Sequence, residues 1–174
     1  MAAQPIESPA ESIQENEDTQ RDKFLTFHID SEEYGIEIRY VTEIIGIQKI
    51  TPVPEMPLHL KGVINLRGKI IPVMDVRLRF KLEARAYDER TCVVVVNVRD
   101  SAVGLVVDRV AEVLDIPESQ IEAASTLGRG KSNAFLSGIG KIGDQIKILL
   151  DVNRLLYDED WSAIAGAHKT EVIS

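Results

Sequence analysis

An internal repeat constrains this chain more than any other feature. Shifted by 69 positions, Phe24-Leu25-Thr26-Phe27-His28-Ile29 falls on Val93-Val94-Val95-Val96-Asn97-Val98. The same shift puts Tyr34-Gly35-Ile36-Glu37-Ile38 on Val103-Gly104-Leu105-Val106-Val107, and Val41-Thr42-Glu43-Ile44-Ile45 on Val110-Ala111-Glu112-Val113-Leu114. Shifted by 76, Gly62 falls on Gly138, Leu66 on Ile142, Ile70 on Ile146 and Met74-Asp75-Val76 on Leu150-Asp151-Val152. The blocks keep their order and need one gap of seven. Two similar units follow, about 24–80 and 93–156. Units of roughly 60 residues are marginal alone, so two of them gain by packing together. The repeat predicts two small β-barrels sharing one apolar seam, and the seam predicts a groove for a partner.

The β assignment rests on short apolar runs separated by Gly, Asp, Asn and Pro: Phe24–Ile29, Tyr34–Ile38, Ile70–Met74, Val93–Val98, Val103–Val107 and Ile146–Leu150. Their β-branched side chains suit a pleated, packed surface. Helices are expected to be few and short. Arg39–Ile45 has Val41, Ile44 and Ile45 at helical spacing. Pro57–Lys61 reads as one turn with Pro57 first. Ser132 caps a helix through Ser137, stopped by Gly138. Asp158-Glu159-Asp160 opens a last helix in the C-terminal segment 158–174.

Charge is distributed unevenly. The net charge of the chain is −8, but residues 23–156 carry 18 acids and 18 bases, so the acidity belongs to the ends. Residues 1–22 are polar and acidic and are expected to form a disordered tail. A neutral body, in a chain with nine Phe, Trp and Tyr residues in all, lacks the basic stripes and stacking rings that nucleic acid needs. No apolar run approaches the roughly 20 residues of a membrane helix. Met1–Asp22 has no basic-then-apolar pattern, so a secretory signal is not expected. The single cysteine, Cys92, excludes an internal disulfide and a Cys-based zinc site within one chain. A cytoplasmic setting is the expectation.

Catalytic constellations are absent from the pattern. His28 lies in the first strand, His59 in an expected surface turn and His168 in the tail, with no spacing suited to a triad or a metal. No cofactor is expected. Gly130-Lys131-Ser132 resembles the end of a phosphate-binding loop, but Ser125 stands where that motif wants glycine, and the lead-in Pro117–Glu122 is polar. Asp75 and Asp151 occupy matching places after a strand and read as caps of the turns that follow. Asn65-Leu66-Arg67-Gly68 is matched by Lys141-Ile142-Gly143-Asp144, so the hairpin itself does not require Arg67. Glu43 is matched by Glu112, which leaves a structural and a functional role equally open.

Several stretches resemble the CheW-like family of bacterial chemotaxis coupling proteins. They are Glu33-Tyr34-Gly35-Ile36 with Val41-Thr42-Glu43-Ile44; Pro57 with Lys61-Gly62-Val63-Ile64-Asn65-Leu66-Arg67-Gly68; Ile71-Pro72-Val73-Met74-Asp75-Val76-Arg77; Val103-Gly104-Leu105-Val106-Val107-Asp108; and Gly138 with Asp151-Val152. The resemblance spans about 23–157. It implies two SH3-like, five-stranded barrels around a shared hydrophobic core, with the first at about 23–85 and the second at about 90–156. It also implies a scaffold without catalysis, joining chemoreceptor cytoplasmic tips to the regulatory domain of the histidine kinase CheA in membrane-associated arrays. Ile38, Val41, Glu43, Ile44, Asn65, Arg67, Val110 and Val113 are the implied receptor-coupling positions, and Leu127 the implied kinase contact. A receptor tip is a helical hairpin, and an apolar groove with a charged rim takes a helix face. The 18 residues after Leu156 leave no room for a fused kinase or receiver domain, so a stand-alone protein is expected. The alternatives are a CheW-like scaffold of another chemosensory pathway, or an unrelated nucleotide-binding protein using Gly130-Lys131-Ser132.

Overall fold

The computed structural model describes residues 20–124 and 134–157. Strands β1 (Lys23–Ile29), β2 (Glu32–Glu37), β3 (Val41–Gly46), β4 (Leu60–Leu66) and β5 (Lys69–Asp75) come from the first repeat. Strands β6 (Cys92–Val98), β7 (Ser101–Val107), β8 (Arg109–Asp115), β9 (Ile121–Ala123), β10 (Leu136–Ile142) and β11 (Gln145–Leu150) come from the second. A short helix ends each repeat, Val76–Arg79 and Val152–Leu156. Both are capped as their sequences predict. The Asp75 carboxylate accepts the Leu78 N–H, and that of Asp151 accepts the Arg154 N–H, each at 3.2 Å.

Two sheets result, in the orders β3-β6-β7-β5-β4 and β8-β1-β2-β11-β10-β9. Replacing each strand by its repeat equivalent turns the first order into the second, with β9 added as a sixth strand. Each sheet therefore takes a hairpin from one repeat and its remaining strands from the other. The β6–β7 hairpin enters the sheet of β3, β4 and β5, and the β1–β2 hairpin enters that of β8, β10 and β11. The joins repeat as well: β5 runs parallel to β7 as β11 does to β2, and β3 is antiparallel to β6 as β8 is to β1. The sequence boundary near 85–90 separates the repeats but not the sheets.

Burial follows from this exchange. Val93 and Val95 of β6 pack with Ile64, Ile71 and Val73 inside one sheet. Val94, Val96 and Val98, on the opposite face, join Leu25, Phe27, Ile29, Leu105, Leu150 and Leu155 in the large core shared by both sheets. A strand buried on both faces reads as a continuous valine run. The repeated glycines make the close approaches possible. A Cβ on Gly104 would lie 2.7 Å from Val93 Cγ1, and one on its equivalent Gly35 3.0 Å from Leu149 Cδ2. At Gly62 and its equivalent Gly138 the obstacle is backbone: Thr51 O at 2.1 Å and Glu122 O at 2.7 Å.

Three helical expectations are corrected. Arg39–Ile45 is not a helix: a 3₁₀ turn, Ile38–Tyr40, leads into β3. The β-branched side chains of Val41, Thr42, Ile44 and Ile45 favour the strand, and pairing with β6 supplies its hydrogen bonds. Pro57–Lys61 forms a reverse turn closed by Leu60 N–H to Pro57 O at 3.0 Å, and Lys61 already belongs to β4. Leu136 and Ser137 begin β10, which pairs with β11; the start of the expected Ser132–Ser137 helix, and the helix expected after Asp158, lie outside the described residues. His59 is also buried rather than on the surface. Its carbonyl accepts the Asp75 N–H at 2.7 Å, which folds the turn down onto the end of β5.

Candidate functional site

Five of the eight receptor-coupling positions implied by the sequence lie on two strands that occupy equivalent places, Val41, Glu43 and Ile44 on β3 and Val110 and Val113 on β8, while Ile38 precedes β3, Asn65 lies in β4 and Arg67 in the turn after it. β3 and β8 are each the terminal strand of a sheet. Ile38, Val41 and Val110 are half-buried against the shared core. Ile44 and Val113, the next equivalent pair outward, are 43% and 51% exposed. Val41 pairs with Val96 in β6, as Val110 pairs with Phe27 in β1. The apolar ladder of the shared core thus continues to the surface along both terminal strands, leaving side chains that a partner can cover.

A charged pair stands beside one of these ladders. The β4–β5 hairpin turns through Arg67 and Gly68 at φ of 53° and 86°. Two positive φ values in a two-residue loop match the right-handed twist of the flanking strands. The Asn65 carboxamide oxygen accepts the Gly68 N–H at 2.8 Å and holds the turn. So Asn65 shapes the loop, while Arg67 projects from it. Arg67 Nη2 donates to Glu43 Oε1 at 2.5 Å. The hydrogen bond to Glu43 and its charge push the guanidinium further above its ordinary range. Side-chain exposure of 72% for Arg67 and 29% for Glu43 makes this a surface pair, of little weight in folding. Glu112 and Gly143 occupy the equivalent places, and glycine offers no side chain for such a pair. The role of Glu43 that sequence left open thereby gains a partner peculiar to the first repeat.

A second charged cluster went unread in the sequence. Arg77 Nη2 donates to Asp108 Oδ2 at 2.5 Å and to Asp30 Oδ1 at 2.6 Å, while the Asp30 N–H donates to Asp108 at 2.8 Å. Burial pulls the Arg77 guanidinium down, but the two carboxylates outweigh it and raise it. Tyr87 beside them donates to Asp75 Oδ2 at 2.7 Å, and burial followed by that bond raises its phenol. Arg77, Asp108, Asp75 and Tyr87 line a small cleft, with Asp30 paired to Arg77 beside it. They tie the β1–β2 turn, the Val76–Arg79 helix and the β7–β8 junction together, which is a structural role. Arg77 and Asp108 stood in the motif stretches, but nothing in their spacing of 31 showed that they meet.

Leu127 and Gly130-Lys131-Ser132 lie outside the described residues. Among the described residues, no group of three or more His, Cys, Asp or Glu side chains is arranged to hold a metal ion. No helix among them is long and apolar enough to cross a membrane.

Comparison with known proteins converges on one family. A family model described as the CheW-like domain matches residues 23–160. The chemotaxis protein CheW of Klebsiella aerogenes is 38% identical over 148 residues, covering 85% of this chain and 89% of that protein. Protein FrzA of Myxococcus xanthus is 30% identical over 146 residues, covering 82% of this chain and 90% of its own. The crystal structure of the scaffolding protein TtCheW from Thermoanaerobacter tengcongensis superposes with a TM-score of 0.73 at 34% identity, over 80% of this chain and 94% of that one.

Proposed function

The chain belongs to the CheW-like domain family of chemotaxis scaffolds, and from that premise we propose that it is a non-catalytic adaptor coupling chemoreceptor cytoplasmic tips to the histidine kinase CheA. The observation that carries this reading is the surface Glu43–Arg67 pair beside the exposed apolar residue Ile44 on the terminal strand β3. Ile38, Val41, Ile44, Val110 and Val113 supply apolar area to a helical receptor face. Glu43 and Arg67 set register and selectivity more than bulk affinity. Leu127, in the segment before Phe135, is the proposed kinase contact, toward the regulatory domain of CheA. On this reading the protein works in the cytoplasm and is recruited to membrane-associated receptor arrays.

The test is reconstitution with soluble chemoreceptor cytoplasmic fragments and CheA. The full chain should join both in one complex and raise kinase activity above that of the two alone. Absence of receptor-fragment binding would overturn the reading. Capture of fragments from only one receptor class would assign the chain to that chemosensory pathway.

A further inference from the structure

The pairing of β3 with β6 contains an irregularity placed next to Glu43. Val41 is opposite Val96 and Glu43 is opposite Val95, so the register slips by one residue between them and Thr42 is the extra residue of a β-bulge. A bulge leaves a residue outside the regular ladder and re-aims the side chain beside it. Here the Thr42 hydroxyl donates to the Val95 carbonyl at 3.1 Å, fastening the bulge to β6. The side chain aimed by it is Glu43, whose carboxylate meets Arg67.

The other sheet provides an internal control. The pairing of β1 with β8 slips at the equivalent place, between Leu25 and Phe27. Ala111 stands where the first repeat has Thr42 and carries no hydroxyl. The bulge there is fastened from the other strand: Thr26 donates to the Glu112 carbonyl at 3.0 Å and accepts the Glu112 N–H at 3.2 Å. Val95, the equivalent of Thr26 in the second repeat, cannot do this for the bulge in β3. The two sheets thus fasten the same bulge with a threonine on opposite strands. The threonine lies directly before the glutamate only where that glutamate has an arginine to meet.

We propose that Thr42 is a positioning residue for the Glu43–Arg67 pair, fastening the bulge so that the Glu43 carboxylate is held toward the guanidinium. The proposal deepens the docking reading, because a preorganised pair meets a receptor helix without first being ordered. Thr42 itself need not touch the partner.

The experiment compares Thr42→Val, which keeps the β-branched shape and removes the hydroxyl, with Thr42→Ser, which keeps the hydroxyl. In the full chain, rotation of the Arg67 guanidinium about its Nε–Cζ bond is followed by ¹⁵N NMR, with Glu43→Gln as the unpaired reference. Thr42→Val should speed rotation toward the Glu43→Gln rate, and Thr42→Ser should restore it. Binding of a chemoreceptor cytoplasmic fragment should weaken about three- to tenfold in Thr42→Val, the range for one hydrogen bond. It should show no further loss when Thr42→Val is added to Arg67→Ala. Unchanged rotation in Thr42→Val overturns the proposal, as does an equal loss of binding in the Arg67→Ala background. Faster rotation with Arg67→Ala binding unimpaired keeps the positioning role and overturns the docking reading instead.

Discussion

Arg67 and Glu43 lie 2.5 Å apart although they belong to opposite ends of one sheet's strand order, Glu43 on β3 and Arg67 on the hairpin that joins β4 to β5. The sheet must curl for its first and last members to meet. The same curl is recorded by Thr51, which follows β3 in sequence and exchanges backbone hydrogen bonds with Val63 of β4 at 2.8 and 2.9 Å. The pair is therefore a surface reporter of closure, placed beside the terminal strand β3.

Substitution of Arg67 separates its role from folding. Arg67→Ala should leave the melting temperature within about 2 °C, as surface changes do, and reduce receptor-coupled kinase activity. Arg67→Lys should recover part of that activity, since an ammonium lacks the planar fork of a guanidinium. Arg67→Gly should raise the melting temperature while losing coupling, because glycine accepts a φ of 53° without the Cβ penalty. Unfolding of Arg67→Ala, measured by circular dichroism, would make the residue structural.

Acid should weaken the join between β2 and β11. Lys147, 4% exposed, pairs with Glu33, 16% exposed. Burial pushes the Glu33 carboxyl up, but the hydrogen bond from Lys147 and the lysine charge outweigh it, leaving Glu33 below its ordinary value of 4.5. The unfolded chain takes up this proton first on acidification. The contribution is thus complete above about pH 5 and is lost as pH falls through 4.5 toward the lower folded value. Urea midpoints between pH 7 and 3 should fall less steeply in the double variant Glu33→Leu/Lys147→Met than in the natural protein. An identical slope would remove Glu33 from the acid response.

Neither repeat should fold alone. Residues 23–85 lack the β6–β7 hairpin that fills the middle of their sheet, and residues 90–157 lack β1–β2. Each fragment should give a collapsed amide spectrum by NMR. Mixing them should restore dispersion, because the missing strands then arrive in trans. A well-dispersed spectrum from either fragment by itself would contradict the shared core.

The repeated glycines should rank by what blocks a methyl group. Gly62→Ala should prevent folding, since Thr51 backbone oxygen lies 2.1 Å from the new Cβ. Gly104→Ala should cost about 1–3 kcal/mol by overpacking against Val93. Gly35→Ala should cost less, because its nearest obstacle, the end of the Leu149 side chain, lies farther off at 3.0 Å. Chemical denaturation gives the order, and a more stable Gly104→Ala than Gly35→Ala would refute it.

Much of this was legible in the chain. The valine run of β6, the capping carboxylates Asp75 and Asp151 and the hairpin at Asn65–Gly68 are local signals, carried by residues that decide their own neighbourhood. The repeat also pointed to a shared core. The helical spacing in Arg39–Ile45 misled because Val41, Ile44 and Ile45 fit a helix face and a strand equally, and only β6 chose between them. His59 misled because its burial depends on the end of β5, distant in sequence.

The sequence by itself determined the repeat, the mainly β character and the first-repeat asymmetry at Arg67, since each lies in residue identity and order. Only the tertiary structure decided which strands pair. A hairpin can add to its own repeat or to the other, and the local pattern is the same in both cases. It also decided that Arg67 meets Glu43, that Arg77 meets Asp108, and that Thr42 occupies a bulge. Those contacts bridge 24, 31 and 53 residues. Their geometry arises from sheet curl and strand exchange, which are properties of the assembled core rather than of any segment.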